Sequence, residues 1–482
     1  MANQLHRSRK VKIVATLGPS SDTSADIRAM FLAGADIFRL NLSHGDHSAV
    51  KRRHQIIRQL EKEFSRPICI IADLQGPKLR CGDFHNGGVE LSLGEKFTFD
   101  LNKNLGDKNR VCLPHPEIFQ SAKKNHILLI DDGKVALKVT NKTSDVIECE
   151  VTSPGFVSDK KGVNCPDSIL DLAPLTLKDK KDLDFVCDLG VDWIALSFVQ
   201  RAKDIKEIKV LLNNRAGIIS KIEKPSAVDV FDEILDQSDG IMVARGDLGV
   251  ELPIEAVPPV QKRLVMKCRE KGKPVIVATQ MMESMIKSSI PTRAEVSDVA
   301  QAIYDGVDAV MLSAETAIGN HPEKVVSTVD KIAIEIERDA LYFESLEASR
   351  TSSKQGVSNA ITVAAREVAE TVKVKVICCF THGGTTASLA SRERPRVPII
   401  ALTPNIMTAR KLTLLWGLHC VITTSVDRFK KAVINALKEA KKFEFADGND
   451  LIIVIAGVPF NTPGTTNILR VVSMDENFED FY

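Results

Sequence analysis

Short apolar runs alternate with helical patterns along most of the chain, and polar residues follow each run directly. The clearest example begins with the run Gly217–Ser220 and ends with the run Gly240–Ala244. Between them, Val228, Phe231, Ile234 and Leu235 recur at the three- and four-residue spacing of a single helical face. The pattern therefore predicts a strand, a helix and a second strand, and two strands joined in this way run parallel as neighbours.

Eight such apolar runs, each followed by a helical pattern, precede residue 343. They span residues 11–16, 36–40, 67–72, 193–198, 217–222, 240–244, 274–278 and 307–312. Eight parallel strands with helical crossovers predict an α/β fold, a closed (β/α)8 TIM barrel. The site of such a barrel lies at the carboxyl ends of its strands.

The pattern changes twice along the chain. Between residues 78 and 171 polar and apolar residues alternate with period two, interrupted by turn signals at 86–88 and 131–133, which predicts a small inserted β-barrel-like lid. After a polar linker at 347–359, five further apolar runs predict an open α/β domain. We therefore expect barrel segments at 1–77 and 172–343, a lid at 78–171 and a C-terminal regulatory domain at 350–482.

Composition narrows the class of protein. The 482 residues are 44% hydrophobic and 26% charged, which is ordinary for a globular protein, and a net charge of +1 gives no case for nucleic acid or a membrane surface as a partner. No apolar run approaches 18 residues, and the basic N-terminus lacks the apolar core of a secretory signal. The ten cysteines have no C-x-x-C spacing, so we expect buried, reduced thiols and a cytoplasmic location.

Polar groups collect at the carboxyl ends of the predicted barrel strands. They are Arg39, Asn41, Asp73, Lys221, Glu223, Asp247, Thr279 and Ser313. Glu223 and Asp247 follow neighbouring strands, and two carboxylates beside an ammonium suit a divalent cation bound to an anionic substrate. The alternative is a pair of surface salt bridges, but the number of polar groups at one position of the fold favours a catalytic mouth.

The residue types at this mouth suggest a chemistry. Lys221 precedes Glu223 by two residues, so both point to one side of an extended strand, and its ammonium can neutralise a phosphoryl group or an enolate. Arg39 offers a bidentate fork for phosphate. Gly246 lets backbone amides approach a carboxylate, and Thr279 adds a hydroxyl. No P-loop motif occurs. These features indicate a metal-dependent barrel enzyme acting on a phosphorylated or keto-acid substrate.

Two loops outside the mouth also suggest a ligand. In the C-terminal domain, Thr381, His382, Gly383, Gly384, Thr385 and Thr386 lead directly into a predicted helix. Small and hydroxylated residues there can bind a phosphate, although ordinary turn and capping chemistry has the same signature. In the lid, a basic turn at 160–164 either reaches a ligand or is a solvated surface turn.

Two specific alternatives to a nucleotide-using enzyme fit the same residues. The first is a barrel lyase or aldolase, in which a metal stabilises a pyruvate enolate and no nucleotide takes part. The second is a non-catalytic sensor, which would bind a ligand only at the C-terminal phosphate loop. The basic turn of the lid argues against the lyase, and the intact set of Lys221, Glu223 and Asp247 argues against the sensor.

Eight motifs follow one another through the predicted barrel. They are KIVATLGPSS from Lys12, RLNLSHG from Arg39, ADLQGPKLR from Ala72, SKIEK from Ser220, MVARGDLGVEL from Met242, ATQMMESMI from Ala278, PTRAEVSDVA from Pro291 and MLSAETA from Met311. Together they resemble pyruvate kinase. The resemblance implies transfer of the phosphoryl group of phosphoenolpyruvate to ADP, giving pyruvate and ATP in the last step of glycolysis, mostly by positioning and electrostatics.

The resemblance also implies roles for individual residues. Lys221 resembles the lysine that binds the phosphoryl group and stabilises the enolate, and Glu223 and Asp247 resemble ligands of Mg²⁺ or Mn²⁺. Thr279 and Ser313 match a proton relay to the enolate carbon. The residues that match phosphoenolpyruvate contacts are Arg39, Gly246, Asp247 and Thr279, and those that match nucleotide contacts are Asn41, His44, Arg80 and Lys161.

The chain departs from the family pattern in two places. The first concerns the ligands of K⁺: three positions match, at Asn41, Ser43 and Asp73, but the next ligand position holds Leu74. In addition, Lys78 stands where potassium-dependent members carry Glu. We therefore expect the Lys78 ammonium to replace K⁺. In the C-terminal loop, the pair at 382–383 differs from the usual one, so the resemblance implies a sugar-phosphate or nucleotide effector without identifying it. Family members are usually homotetramers.

Overall fold

The computed structural model describes residues 6–43, 46–350, 355–460 and 465–476. The chain begins with two strand–helix pairs and a third strand. These elements are β1 (Lys12–Leu17), α1 (Ser24–Ala33), β2 (Ile37–Asn41), α2 (His47–Glu63) and β3 (Cys69–Asp73). Thr23 caps α1 and Asp46 caps α2 through their side-chain oxygens, which accept hydrogen bonds from backbone amides of the first turn.

The insertion after β3 consists mainly of strands. They are β4 (Gly88–Leu91), β5 (Lys96–Asp100), β6 (Arg110–Cys112), helix α3 (Pro116–Ser121), β7 (Ile127–Ile130), β8 (Val135–Lys142), β9 (Val146–Ser153), β10 (Gly155–Ser158) and β11 (Val163–Asn164). Six strands form one sheet in the order β11-β7-β8-β9-β5-β6, and β4 pairs with β10. Along β9, buried and exposed residues alternate, so its period-two pattern comes from packing one face against a separate core.

The strand–helix rhythm resumes after the insertion. The elements are α4 (Leu177–Leu189), β12 (Trp193–Leu196), α5 (Ala202–Leu212), β13 (Gly217–Ile222), α6 (Pro225–Asp229), α7 (Phe231–Gln237), β14 (Gly240–Ala244), α8 (Arg245–Glu251), α9 (Val257–Lys271), β15 (Val275–Ala278), α10 (Arg293–Tyr304), β16 (Ala309–Leu312), α11 (Ala314–Ala317), α12 (Pro322–Arg338) and α13 (Ala340–Ala348). Short 3₁₀ helices lie at Pro19–Ser21, Ile254–Ala256 and Glu283–Ile286.

Eight parallel strands close into a barrel, as the apolar pattern predicts. Their order is β1-β2-β3-β12-β13-β14-β15-β16, and β16 pairs with β1. Val14, Ile37, Ile71 and Ile219 belong to one buried cluster. Because side chains on a strand alternate, the residues two positions later share their faces. Those later residues are Thr16, Arg39, Asp73 and Lys221, so the barrel core and the polar mouth are successive layers of the same strands.

Two helix predictions in the barrel are wrong in detail. The single helix expected between β13 and β14 is two helices separated at Val230, although Phe231, Ile234 and Leu235 are buried as their spacing implies. The long helix expected from Ile254 begins at Val257. The prolines at 258 and 259 explain the later start, because proline lacks an amide donor and is tolerated only in the first turn of a helix.

The C-terminal domain is an open α/β sheet, as predicted. Its elements are α14 (Val357–Thr371), β17 (Val376–Phe380), α15 (Thr385–Arg392), β18 (Ile399–Thr403), α16 (Ile406–Leu412), β19 (Leu418–Ile422), α17 (Phe429–Lys442), β20 (Leu451–Gly457) and β21 (Thr466–Ser473). The strand order is β19-β18-β17-β20-β21, with β21 antiparallel to β20. The expected linker is shorter than predicted, because α13 continues to Ala348 and α14 already begins at Val357. The residue bounds of the domains stay a prediction.

In the described parts of the chain, no helix combines the length and the hydrophobicity that crossing a lipid bilayer requires. All ten cysteines are buried free thiols, in agreement with the prediction from their spacing.

Candidate active site

A cavity of about 540 Å³ opens at the carboxyl ends of the barrel strands. Most of the residues predicted for the mouth line it. They are Arg39, Asn41, Ser43, Asp73, Leu74, Lys78, Lys221, Glu223, Asp247, Thr279 and Ser313. Gly246 lies beside the cavity and contacts Thr279. His44 lies outside the described residues.

Lys221 is at the centre of this cavity. Its Nζ lies 2.8 Å from Glu223 Oε1 and 3.4 Å from Asp73 Oδ1, and it donates a 2.8 Å hydrogen bond to Ser197 Oγ. Burial alone would lower the pKa of Lys221, but the carboxylates of Asp73 and Glu223 raise it above its ordinary value. The side chain is therefore a fixed positive charge at neutral pH.

Arg39 adds a second positive charge on the strand beside Asp73. Its Nε donates to Asp73 Oδ2 at 2.7 Å, and its Nη1 donates to Thr16 Oγ1 at 3.1 Å. Burial would raise the pKa of Asp73, but Lys221 and Arg39 lower it below its usual range. Among the described residues, Nη2 of Arg39 has no hydrogen-bond partner, so half of the guanidinium fork predicted for phosphate is already used by the protein.

Glu223 and Asp247 follow β13 and β14, which are parallel neighbours. Oε2 of Glu223 accepts a 2.6 Å hydrogen bond from the backbone amide of Phe198, which fixes the carboxylate. Burial and the negative charge of Glu223 raise the pKa of Asp247 to about 6. Two acids that repel each other in a buried site fit a cation, because its charge would remove that repulsion.

The protein alone does not provide a closed metal site here. Within the described residues, no group of three or more His, Cys, Asp or Glu side chains is arranged to hold an ion. Two carboxylates with open coordination positions fit Mg²⁺, which is usually held by one or two carboxylates together with water and substrate phosphate oxygens.

Thr279 has an unusual backbone conformation at the end of β15. Its φ is 72°, which is rare for a β-branched residue and costs conformational energy. Three hydrogen bonds hold it: the amide of Gly246 donates to Oγ1 at 2.7 Å, Oγ1 donates to the carbonyl of Ala278 at 2.5 Å, and Nη2 of Arg245 donates to its backbone carbonyl at 2.8 Å. Arg245 is itself held by Asp298 at 2.5 and 2.7 Å.

A second cavity, of about 1000 Å³, lies between the lid and the barrel mouth. Lys78 and Asp247 line both cavities, so the two adjoin. Arg80 and Lys161, the two predicted nucleotide contacts from the lid, line this second space, whereas Asn41 lines the first. Nζ of Lys161 pairs with Asp131 at 2.8 Å. The basic turn therefore borders this cavity, and its contact with a ligand stays a prediction.

The predicted effector loop borders a third cavity, of about 620 Å³, in the C-terminal domain. The loop residues that line it are Thr381, His382, Gly383, Thr385 and Thr386. Gly384 does not line it but is the N-cap residue before α15, with a φ of 97°, and its amide donates to Thr381 Oγ1 at 2.9 Å. Sequence reasoning missed the facing residues at 423–425, which also line this cavity.

Sequence reasoning also missed three residues that organise the barrel mouth. Ser197 and Phe198 follow β12 and hydrogen-bond to Lys221 and Glu223, and Arg245 supports Thr279. The first two occupy the same position at a strand end as the residues that were found. A serine and a phenylalanine carry no charge, so nothing in their chemistry distinguished them.

Comparison with known proteins gives a consistent result over nearly the whole chain. The family model of the pyruvate kinase barrel domain matches residues 8–326, and that of the pyruvate kinase alpha/beta domain matches residues 359–472. A pyruvate kinase from Methylorubrum extorquens is 48% identical over 467 residues, covering 97% of this chain and 98% of the relative. A pyruvate kinase from Clostridium acetobutylicum is 39% identical over 468 residues, covering 96% and 99%.

Comparison of the three-dimensional structure with solved structures also finds a pyruvate kinase. The crystal structure of a pyruvate kinase from Cryptosporidium parvum superimposes with a TM-score of 0.91 at 34% sequence identity, covering 97% of this chain and 96% of that chain.

Proposed function

Because this chain belongs to the pyruvate kinase family and catalyses its reaction, phosphoenolpyruvate plus ADP to pyruvate plus ATP, we propose that Lys221, Glu223 and Asp247 form the centre of phosphoryl transfer. One observation carries the proposal: the Lys221 ammonium lies 2.8 Å from Glu223 in a cavity that Asp247 also lines. Phosphoryl transfer needs positioned charge more than covalent chemistry, and this cavity supplies it.

Glu223 and Asp247 are the proposed ligands of Mg²⁺ or Mn²⁺. The raised pKa of Asp247, which burial and Glu223 cause, supports a cation between these acids. When bound, the ion neutralises negative charge on phosphoryl oxygens. Phe198 holds Glu223 in place by its backbone amide, so one carboxylate is oriented before any ligand arrives.

The two basic side chains act on the substrate. Lys221 remains protonated and stabilises negative charge as it develops on the phosphoryl group and on the enolate oxygen. Arg39 contributes its remaining terminal nitrogen to the phosphate. Gly246 and Thr279 contact the carboxylate end of phosphoenolpyruvate. Thr279 and Ser313, which line the same cavity, belong to the relay that delivers a proton to the methylene carbon of the enolate.

The nucleotide occupies the larger cavity below the lid. Arg80 and Lys161 line that cavity and supply positive charge for the phosphates of ADP. Asn41 and His44 complete the proposed nucleotide contacts from the barrel side. Because Lys161 lies in the turn of the lid between β10 and β11, closure of the lid over the mouth would bring this charge towards the transferring group and exclude water.

Lys78 replaces the monovalent cation in this proposal. It lines the cavity together with the residues that match K⁺ ligands, Asn41, Ser43, Asp73 and Leu74. Among the described residues Lys78 forms no ion pair, and its positive charge favours the ionised form of Asp247. Its ammonium therefore serves as a built-in cation, and the enzyme works without added K⁺.

A phosphate-bearing effector, a sugar phosphate or a nucleotide, binds the loop from Thr381 to Thr386, which lines a cavity beside the start of α15. Family membership supports a homotetramer. Ten buried free thiols support a reducing compartment, and we place the enzyme in the cytoplasm.

The metal assignment is tested by replacing Asp247 with Asn. The variant should need at least about tenfold more Mg²⁺ for half-maximal ATP formation, because one charged ligand of the ion is lost. Asp188, whose side chain is 81% exposed on α4, provides the matched control Asp188→Asn. Binding of Mn²⁺ in the presence of phosphoenolpyruvate, followed by electron paramagnetic resonance, gives a second reading. Unchanged metal affinity in Asp247→Asn would remove Asp247 from the ligand set.

A further inference from the structure

A small cavity where the barrel meets the C-terminal domain is lined by five arginines together with Leu346 and Glu393. The arginines are Arg269, Arg350, Arg366, Arg392 and Arg394. Arg269 lies on α9 of the barrel, Arg366 on α14 and Arg392 at the end of α15. A second small cavity shares Arg269, Arg392 and Arg394 with it. This arginine cavity is separate from the barrel mouth and from the cavity at residues 381–386.

Four of the five arginines have an acidic partner. Arg350 pairs with Glu367 at 2.7 Å, Arg366 with Glu370 at 3.2 Å, Arg392 with Glu393 at 2.7 Å, and Arg394 with Asp308 at 3.0 Å. These ion pairs account for the charge of most of the cavity wall.

Arg269 is the exception. Within the described part of the chain it has no ion pair, and its single hydrogen bond is the 2.7 Å contact from Nη1 to Ser349 Oγ. The residue is only 8% exposed, and its Nε is buried without a partner. Nε of Arg394, which lines the same cavity, is also buried without a partner. Burial, together with the positive charges of Arg394 and Arg366, lowers the pKa of Arg269 to about 10.

A buried charge without a counter-ion is costly, and so is a buried donor without an acceptor. An anion in the cavity would remove both costs at once. An arginine fork matches the geometry of phosphate oxygens, and Arg269 is the arginine here whose charge no described acid already balances. We propose that this arginine cavity is a binding site for a phosphate group, either inorganic phosphate or the phosphate of a small phosphomonoester.

Because the site lies between two domains, a bound ligand would connect them. Arg269 belongs to the barrel, whereas Arg366, Arg392 and Arg394 belong to the C-terminal domain, so the anion bridges the two. The eight-residue helix α15 begins at the proposed effector loop and ends at Arg392. A phosphate here therefore strengthens the contact between barrel and C-terminal domain, and it acts at the opposite end of α15 from the effector.

Calorimetric titration of the full chain with inorganic phosphate tests this site. Four proteins are compared at constant ionic strength, with chloride as the balancing anion: the parent, Arg269→Gln, the effector-loop variant Thr386→Val, and the control Arg338→Gln, which removes an exposed arginine of α12. We expect saturable binding in the parent, in Thr386→Val and in the control. In Arg269→Gln the affinity for the arginine cavity should fall about tenfold or more, because a charge-assisted contact is lost.

A second reading is the melting temperature, whose saturable rise with phosphate reports binding to the folded protein. This saturable rise should persist in Thr386→Val and be smaller in Arg269→Gln. If Arg269→Gln does not fold, Arg269→Lys keeps the charge without the fork and should bind at least severalfold more weakly than the parent. Equal phosphate affinity in the parent and in the Arg269 variants would overturn the proposal.

The same titrations distinguish the two sources of the phosphate group. Glycerol phosphate and AMP are each titrated into Thr386→Val. Binding of either more tightly than inorganic phosphate, with the same dependence on Arg269, identifies a phosphomonoester as the ligand. Tighter binding of inorganic phosphate identifies the free ion. An increase in stability that is unsaturable and equal in all variants is a general salt effect and contradicts the site.

Discussion

At the scale of single residues, the active site is a network in which each charge holds another. Asp73 accepts from Arg39 and lies beside Lys221, while Lys221 also contacts Glu223 and Ser197. Neither basic side chain is free to move independently, because each is tied to a carboxylate that is itself buried. Such fixed charges need little rearrangement when negative charge develops in the transition state, which is how electrostatic catalysis works.

Lys78 gives the most specific residue-scale prediction. The parent enzyme should keep most of its turnover in K⁺-free buffer, because the ammonium occupies the role of the cation. In Lys78→Glu the added negative charge in the cavity that Asp73 also lines should create a demand for a monovalent cation, so that turnover falls at least about tenfold without K⁺ and recovers when K⁺ is added.

The measurement is the initial rate of ATP formation with K⁺ varied against tetramethylammonium. Lys203→Glu, at a side chain that is 77% exposed on α5, is the control for charge reversal. Near-zero turnover of the parent in K⁺-free buffer would refute the role of Lys78.

The charged residues of the active site were easier to predict from the sequence than the neutral ones. Lys221, Glu223 and Asp247 could be found because charge directly after a buried strand is conspicuous. Ser197 and Phe198 hold those charges, yet a small hydroxyl and a backbone amide after a strand carry no distinguishing signal. The strained φ of Thr279 depends on contacts with Gly246 and Arg245 from another strand end, which no local pattern contains.

At the scale of elements, the two ends of the barrel strands have different functions. Residues at the carboxyl ends line the active site, whereas the amino end of β2 carries a buried ion cluster. Asp36 lies 2.7 Å from Arg9 and 3.2 Å from Arg66, and it also accepts from the amide of Ile13. In barrels of this kind the amino-terminal face serves stability, and this cluster ties the N-terminal segment to the strands.

The cluster predicts how stability depends on pH. Burial alone would raise the pKa of Asp36, but Arg9 and Lys12 lower it well below its usual range. Because the pKa is depressed in the folded state, the ionised carboxylate stabilises the protein above its unfolded pKa of about 3.9, and this stabilisation is lost as the pH falls below that value. Asp36→Asn should therefore cost about 3–5 kcal/mol at pH 7, since it leaves buried arginines without a partner.

Urea unfolding at pH 7, 5 and 3.5 measures this difference, with Asp188→Asn as the exposed control. The gap between Asp36→Asn and the parent should narrow at pH 3.5. A gap that stays constant with pH would show that packing, and not the charge of Asp36, is responsible.

Element boundaries show what a periodic pattern can and cannot predict. The eight barrel strands follow from apolar runs because burial on both faces imposes such runs. The break between α6 and α7 at Val230 was not predicted, because the apolar spacing continues across it and the buried residues remain on the core side. The start of α9 could have been read from the two prolines at 258 and 259, which mark a first turn.

At the scale of the whole molecule, the barrel and the C-terminal domain are joined by specific ionic contacts. Arg410 of α16 pairs with Glu61 of α2, and Arg394 pairs with Asp308 at the start of β16. The order of the three domains could be predicted from changes in period along the chain. The contacts between them could not, since residues such as Arg410 and Glu61 lie far apart in sequence and look like ordinary surface charges.

The effector proposal belongs to this scale, because a ligand at α15 must act on a distant mouth. Gly383 offers a clean test: its φ is not in the left-handed region, and a side chain added there meets open space. Gly383→Glu would place a negative charge in the loop, and activation by sugar phosphates or AMP at half-saturating phosphoenolpyruvate should be lost. Gly383→Gln, which has the same shape without the charge, should retain more of the activation. Equal activation in the parent and in Gly383→Glu would contradict effector binding at this loop.

The central claim is that the Lys221 ammonium carries transition-state charge, and the turnover number of Lys221→Met measures this directly. Single-turnover formation of ATP from phosphoenolpyruvate and ADP, with Lys206→Met on the exposed face of α5 as the control, separates the chemical step from binding. Lys221→Met should bind both substrates yet turn over about three orders of magnitude more slowly, with the control unchanged. Turnover in Lys221→Met equal to that of the parent would contradict this role of Lys221.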